Sequence, residues 1–153
     1  MHRVDEVFKS SSASFEARFG FLSLDEIQSS RDVAVGELEA STCLSILASV
    51  EANFRMDYLN RSAQRLKDPL SQAYRGIYNY YEERASFEEH LLGSWREYAP
   101  HSRVIVSELK GALKYRHWLA HGRYWKPQFG RKYDYYFISD LAYRIEQSFP
   151  FVV

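Results

Sequence analysis

"STCLSILASVEANFRMDYLNRSAQRL", residues 41–66, decides the fold. Leu44, Leu47, Val50, Phe54 and Tyr58 recur at three- and four-residue spacing, the period of an amphipathic helix with one apolar face. The "KDPL" that follows, residues 67–70, breaks it, because proline disfavours helix in the residue before it and has no N–H to donate. Upstream, Ser23 stands three residues before Glu26, a capping-box pattern that opens an earlier helical stretch, "SLDEIQSSRDVAVGELEAS". Downstream, a helix is expected from Pro69 to about Arg84, and another from Ser86 to Tyr98 with Glu88 and Glu89 in its first turn. Pro100 ends that one. A further helix runs from near Ser102 to about His121, where Gly122 is a natural residue beyond the cap. The last is expected over about 138–149, before Pro150. The whole predicts an all-α bundle of five or six helices with antiparallel neighbours, since the connections are short.

The length of 153 residues suits one domain, with its core over about 23–150. The 7 glycines and 4 prolines are too sparse for a turn-rich β-fold. The single cysteine, Cys43, allows no intramolecular disulfide and sits among apolar residues as a small buried hydrophobe. The first twenty residues carry charges throughout, so no signal peptide is expected. The longest apolar runs fall far short of the ~20 residues of a membrane helix, which points away from a membrane and towards the cytosol.

Charge is balanced overall, with 20 basic and 20 acidic residues, yet unevenly placed. From Lys110 to Lys132 there are seven Lys/Arg and no Asp or Glu, interleaved with aromatic residues in "KYRHWLAHGRYW", 114–125. The local field, not the net charge, decides whether an anionic polymer can bind. Arg123, Lys126, Arg131 and Lys132 are placed to follow an RNA backbone, and Tyr124 and Trp125 to stack on bases; alternatively Trp125 and Phe129 pin the loop and the cations are solvated. Tyr78, Tyr80 and Tyr81 are expected in a helix interface.

A helical wheel at about 100° per residue separates these cations. With Ile105 at zero, Leu109, Ala112, Leu113, Leu119 and Ala120 form an apolar arc, and Arg116 falls in its middle at about 20°. Ser107, Lys110 and Lys114 fall on the far side. An inward arginine is costly unless paired. One partner is Glu51, which faces the apolar side of its own helix, so an Arg116–Glu51 ion pair could hold two helices in register. The other reading is that Arg116 faces a cleft and binds an anion, for which its planar, permanently charged fork is suited. His121 falls at the helix end, where carbonyl dipoles favour a cation. A histidine titrating near neutrality can act as general acid or base. His117 and His121 also share one face at a spacing able to bind zinc, with Glu51 or His90 as possible further ligands, but Trp118 replaces the glutamate of the metalloprotease motif.

"RHWLAHG", Arg116 to Gly122, resembles the R-x(4–6)-H signature of HEPN domains, small α-helical bundles. The "LAHG" ending fits, and "SVEANFRMDYL" is similar to the acid- and arginine-bearing second long helix of such domains. The similarity covers roughly residues 40–150. It implies a metal-independent, cofactor-free endoribonuclease, commonly a homodimer whose two motifs face a composite cleft. It implies His121 as general acid/base, Arg116 as holder of the scissile phosphate and His117 as the supporting polar position; Glu51, from its place on the wheel, is the structural support. The implied chemistry is attack by the ribose 2′-OH on the adjacent phosphate. Such domains occur in toxin–antitoxin, phage-defence and RNA-processing systems, so an antitoxin protein is a possible partner. One toxin branch carries a tyrosine two residues after the histidine, the target of nucleotidylation; here Arg123 stands there and Tyr124 one place later, so that control is not carried over. A non-catalytic RNA- or nucleotide-binding or dimerisation module and a metal-dependent helical hydrolase on His117 and His121 are the alternatives.

Overall fold

The structure is a computed structural model that describes residue 17 and residues 19–123, 125–126 and 128–152. Five α-helices are described: α1 (Leu24–Gln64), α2 (Pro69–Tyr81), α3 (Leu92–Tyr98), α4 (Arg103–Ala120) and α5 (Tyr135–Ser148). Short 3₁₀ turns cover Glu82–Arg84 and Pro100–Ser102, and a π turn, Phe87–Leu91, leads into α3. No strand occurs among the described residues, so the all-α reading holds.

Two compact units divide at Thr42 and Cys43. In the first, Ser23 and Glu26 close the expected capping box: the Ser23 N–H donates to Glu26 Oε2 at 2.7 Å. The Ser23 hydroxyl in turn accepts from the Glu26 N–H at 3.3 Å. This hydrogen bond to the Ser23 amide also holds the Glu26 carboxyl below its ordinary pKa. Gly36 does not interrupt the helix, and the stretches expected before and after Ser41 are one element of 41 residues. A single glycine costs a helix only about 1 kcal/mol, too little to break one without a proline or a cap. One 18-residue window of α1 has mean hydropathy 1.4, so by length and composition this helix could cross a membrane; 22% of the window is buried. Glu37 and Glu39 interrupt this stretch, which is why the apolar runs of the sequence do not show it.

In the second unit α1 presents Cys43, Leu47, Val50, Phe54 and Tyr58 to the core, all buried. Phe54 is its centre, with ring centroids of Phe151 at 4.9 Å, Phe149 at 5.1 Å and Phe87 at 5.7 Å. Trp95 of α3 meets Phe149 edge-on at 4.8 Å. Helix α3 packs against both α2 and α4, and α4 against α5. Asp68 caps α2 by accepting from the Ser71 N–H, and Ser86 caps the π turn by accepting from the Glu89 N–H. Helix α5 begins three residues before its expected start, because Asp134 accepts from the Phe137 N–H and supplies the N-cap. Of the three tyrosines expected in an interface, Tyr78 lies 5.9 Å from the Tyr58 ring. Tyr81 covers His90 at 4.2 Å. Tyr80 is a correction: it is 85% exposed, on the outer face of α2.

The loop between α4 and α5 is held by a ring stack. Tyr115 stacks on Tyr133 at 5.4 Å and on Trp118 at 6.0 Å, with Phe129 edge-on to Tyr115 at 5.8 Å. Gly111 makes room for it, since a Cβ there would run into the Tyr133 hydroxyl. Tyr133 is wedged between Tyr115 and Phe137, so it cannot swing away without breaking the stack. Gly111→Ala is therefore expected to destabilise by about 1–3 kcal/mol in urea unfolding, against the usual helix preference for alanine. A neutral or stabilising result would show that the loop is not held this way.

Candidate functional site

The site is built on the last turns of α4. His121 caps the C-terminus of α4, its N–H donating to the His117 carbonyl at 3.1 Å. Gly122 then turns the chain away at φ 82°, a left-handed conformation that glycine adopts without strain. His117 and His121 are one turn apart on one face, their rings 4.1 Å apart, and both are exposed.

Arg116 makes the ion pair that the two wheels allow: its Nη1 lies 2.5 Å from Glu51 Oε2. The other Glu51 oxygen is taken by Arg55, with Nη2 at 2.7 Å and Nε donating at 2.8 Å. Glu51 thus bridges two guanidinium groups. Arg55 also donates to the Ala85 carbonyl at 3.3 Å and lies over the Phe87 ring, so α1 is tied to the segment before α3. Burial pushes the Glu51 carboxyl up, but the hydrogen bonds from Arg116 and then Arg55 outweigh it and hold its pKa below the ordinary value. A carboxylate with a lowered folded pKa contributes stability above its unfolded pKa and loses it as pH falls through the folded one. Glu51→Gln should therefore melt below the wild type at pH 7, and the gap should close as pH falls well below the ordinary carboxyl value of 4.5. A gap that stays constant between pH 7 and pH 3 would count against the ionised bridge.

A cleft of about 680 Å³ opens beside this bridge. Arg116, His117, His121 and Lys110 line its α4 side, Ser86 to Glu89 line another part, and Glu51 reaches it from α1. Arg116 keeps about a third of its side chain exposed. The cleft therefore combines a fixed cation, two imidazoles and room for a polar ligand. An imidazole can move a proton, and a guanidinium that still has free N–H groups can take a second anion beside its carboxylate.

The loop residues proposed as RNA contacts lie elsewhere. Arg123 and Lys126 are exposed beyond Gly122. Arg131 is held by Glu108 at 3.3 Å and lies over the Phe137 ring at 4.8 Å, and Lys132 pairs with Asp134 at 3.2 Å. None of these four lines the cleft. Tyr124 is outside the described residues. The Trp125 carbonyl accepts from Trp118 Nε1 at 2.9 Å, a contact that fastens the loop. Among the described residues no three His, Cys, Asp or Glu side chains are grouped to hold a metal ion. His90 does not line the cleft: its Nδ1 accepts from the Ser86 N–H at 2.9 Å.

Lys110 is a correction. The wheel put it on the solvated side, whereas it is half-buried and lines the cleft. Its angle of about 140° falls between His117 at about 120° and His121 at about 160°, so the shared face was present in the sequence. Glu88 and Glu89, first-turn acids by sequence, also line this cleft, and nothing local indicates that tertiary packing brings them there. No protein-family model matches the chain, and no curated protein or solved structure matches it either.

Proposed function

We propose that the chain is a metal-independent endoribonuclease with Arg116 and His121 as its catalytic pair. The observation that carries this reading is that both side chains, with His117, line one cleft at the end of α4. His121 would take the proton of a ribose 2′-OH. The 2′-oxygen would attack the adjacent phosphorus, the bond to the 5′-oxygen would break, and that oxygen would leave with a proton from an imidazolium. The products are a 2′,3′-cyclic phosphate and a 5′-hydroxyl. Arg116 would stabilise charge growing on the non-bridging oxygens, held for the task by Glu51. The internal nucleophile accounts for a requirement for RNA. A second copy supplying its own His121 as the acid is part of this reading, as is a homodimeric state.

One observation favours a second reading, a non-catalytic RNA-binding module: Arg116 already has a partner in Glu51 and so has a purely structural use. The two separate cleanly. Purified protein is incubated with single-stranded RNA in EDTA, and product ends are mapped. Cyclic phosphate ends, lost in Arg116→Ala and His121→Ala, support the ribonuclease. Salt-sensitive binding without cleavage supports the module.

A further inference from the structure

We propose that Lys110 forms a second phosphate-binding position in this cleft, so that the preferred substrate is single-stranded RNA extending at least one phosphate beyond the scissile one. This rests on the ribonuclease reading. Lys110 lines the cleft and is half-buried, yet among the described residues it makes no ion pair or hydrogen bond. The other cation of the cleft, Arg116, is already tied to Glu51. Lys110 precedes Arg116 by six residues, about 9 Å along the helix axis, so phosphates held at the two positions are different ones. Its ammonium is a mobile point charge that needs no fixed fork geometry, which suits a phosphate whose only role is to anchor the strand. Glu88 and Glu89 also line the cleft and repel phosphate. The backbone is thereby confined to the face of α4 that carries Lys110, His117 and His121, and the bases are turned towards the acids. Carboxylates can accept hydrogen bonds from base amino groups but not from phosphate.

The test is the dependence of kcat/KM on substrate length. A dinucleotide with one phosphate is compared with oligonucleotides extended by one or two nucleotides on either side, for the wild type, Lys110→Gln and Lys114→Gln. Lys114 is exposed, lies outside the cleft and controls for the loss of one charge. The wild type should prefer an extended substrate by about tenfold, the range of one hydrogen bond to a charged group. Lys110→Gln should lose most of that preference and reduce the salt slope of binding by about 0.7, as for one lost phosphate contact on a single strand. Lys114→Gln should keep the preference. Equal losses on the dinucleotide and the longer substrates, or no loss on either, overturn the second position while leaving the ribonuclease in place. Absence of cleavage of every RNA by the wild type overturns the ribonuclease reading, and Lys110 with it.

Discussion

His121→Ala is expected to lower RNA cleavage by about 10²- to 10⁴-fold, the usual contribution of a positioned general acid or base. The melting temperature should hardly move. His121 is exposed at the end of α4, and among the described residues the ring it meets is that of His117. Substitutions at such positions normally change stability by no more than ~0.5 kcal/mol. Arg116→Ala should be as damaging to cleavage but less innocent structurally. It leaves Glu51, whose side chain is 19% exposed, with Arg55 as its one remaining cation. Arg116→Lys separates the two roles. A lysine keeps the charge and can pair with Glu51, but it lacks the planar fork that could serve Glu51 and a phosphate together. It should retain the melting temperature and still lose most of the activity. Full activity in both alanine variants would sink the assignment. Full activity in Arg116→Lys alone would show that Arg116 acts only as a charge.

Much of this arrangement is legible in the sequence, because its signals are local. The buried face of α1, the Ser23–Glu26 box, the Ser86 cap and the turn at Gly122 each follow from spacing or residue type within a few positions. The Arg116–Glu51 pair needed two wheels and one assumption, that two inward charges of opposite sign find each other. Other features escaped for physical reasons. The start of α5 depends on Asp134, a cap without acids in the turn that follows it. The wheel misses Lys110 because its apolar arc leaves out Val106, which is fully buried at about 100°, only about 40° from Lys110. Arg131 and Lys132 count as basic residues in the sequence, yet Glu108 and Asp134 hold them, and only tertiary structure supplies Glu108. The least legible part is the polar network that ties α1 to the C-terminal segment. Its partners are separated by up to 95 residues, and no periodicity encodes such a contact.

That network sets the largest expected effect on stability. Asp57 is fully buried, and its Oδ1 accepts from Arg61 Nε and from the Val152 N–H, each at 2.7 Å. Arg61 is itself 7% exposed, donates to the Pro150 carbonyl at 2.7 Å and lies over the Trp95 ring. Asn60 adds a bond from Nδ2 to the Val152 carbonyl at 2.9 Å, so residues 150 and 152 are held on both sides of Phe151, which packs on Phe54. Burial pushes the Asp57 carboxyl above its ordinary pKa, and the Val152 amide and then Arg61 pull the other way. Asp57→Ala removes the acceptor of both donors and strips the buried Arg61 of its closest anion. Its remaining carboxylate, Asp68, is farther away at 3.3 Å and 42% exposed. Breaking a buried pair by removing one member costs about 3–5 kcal/mol, a large share of a total of about 5–15 kcal/mol. The variant is expected to unfold at much lower urea, with loss of the Trp95–Phe149–Phe151 packing reported by tryptophan fluorescence. Asp57→Asn should lose less, since an amide oxygen still accepts from the Val152 N–H and carries no buried charge. An Asp57→Ala unfolding free energy within about 1 kcal/mol of wild type would mean that the rings alone hold the C-terminal segment. The buried charges would then contribute no more than a typical surface pair.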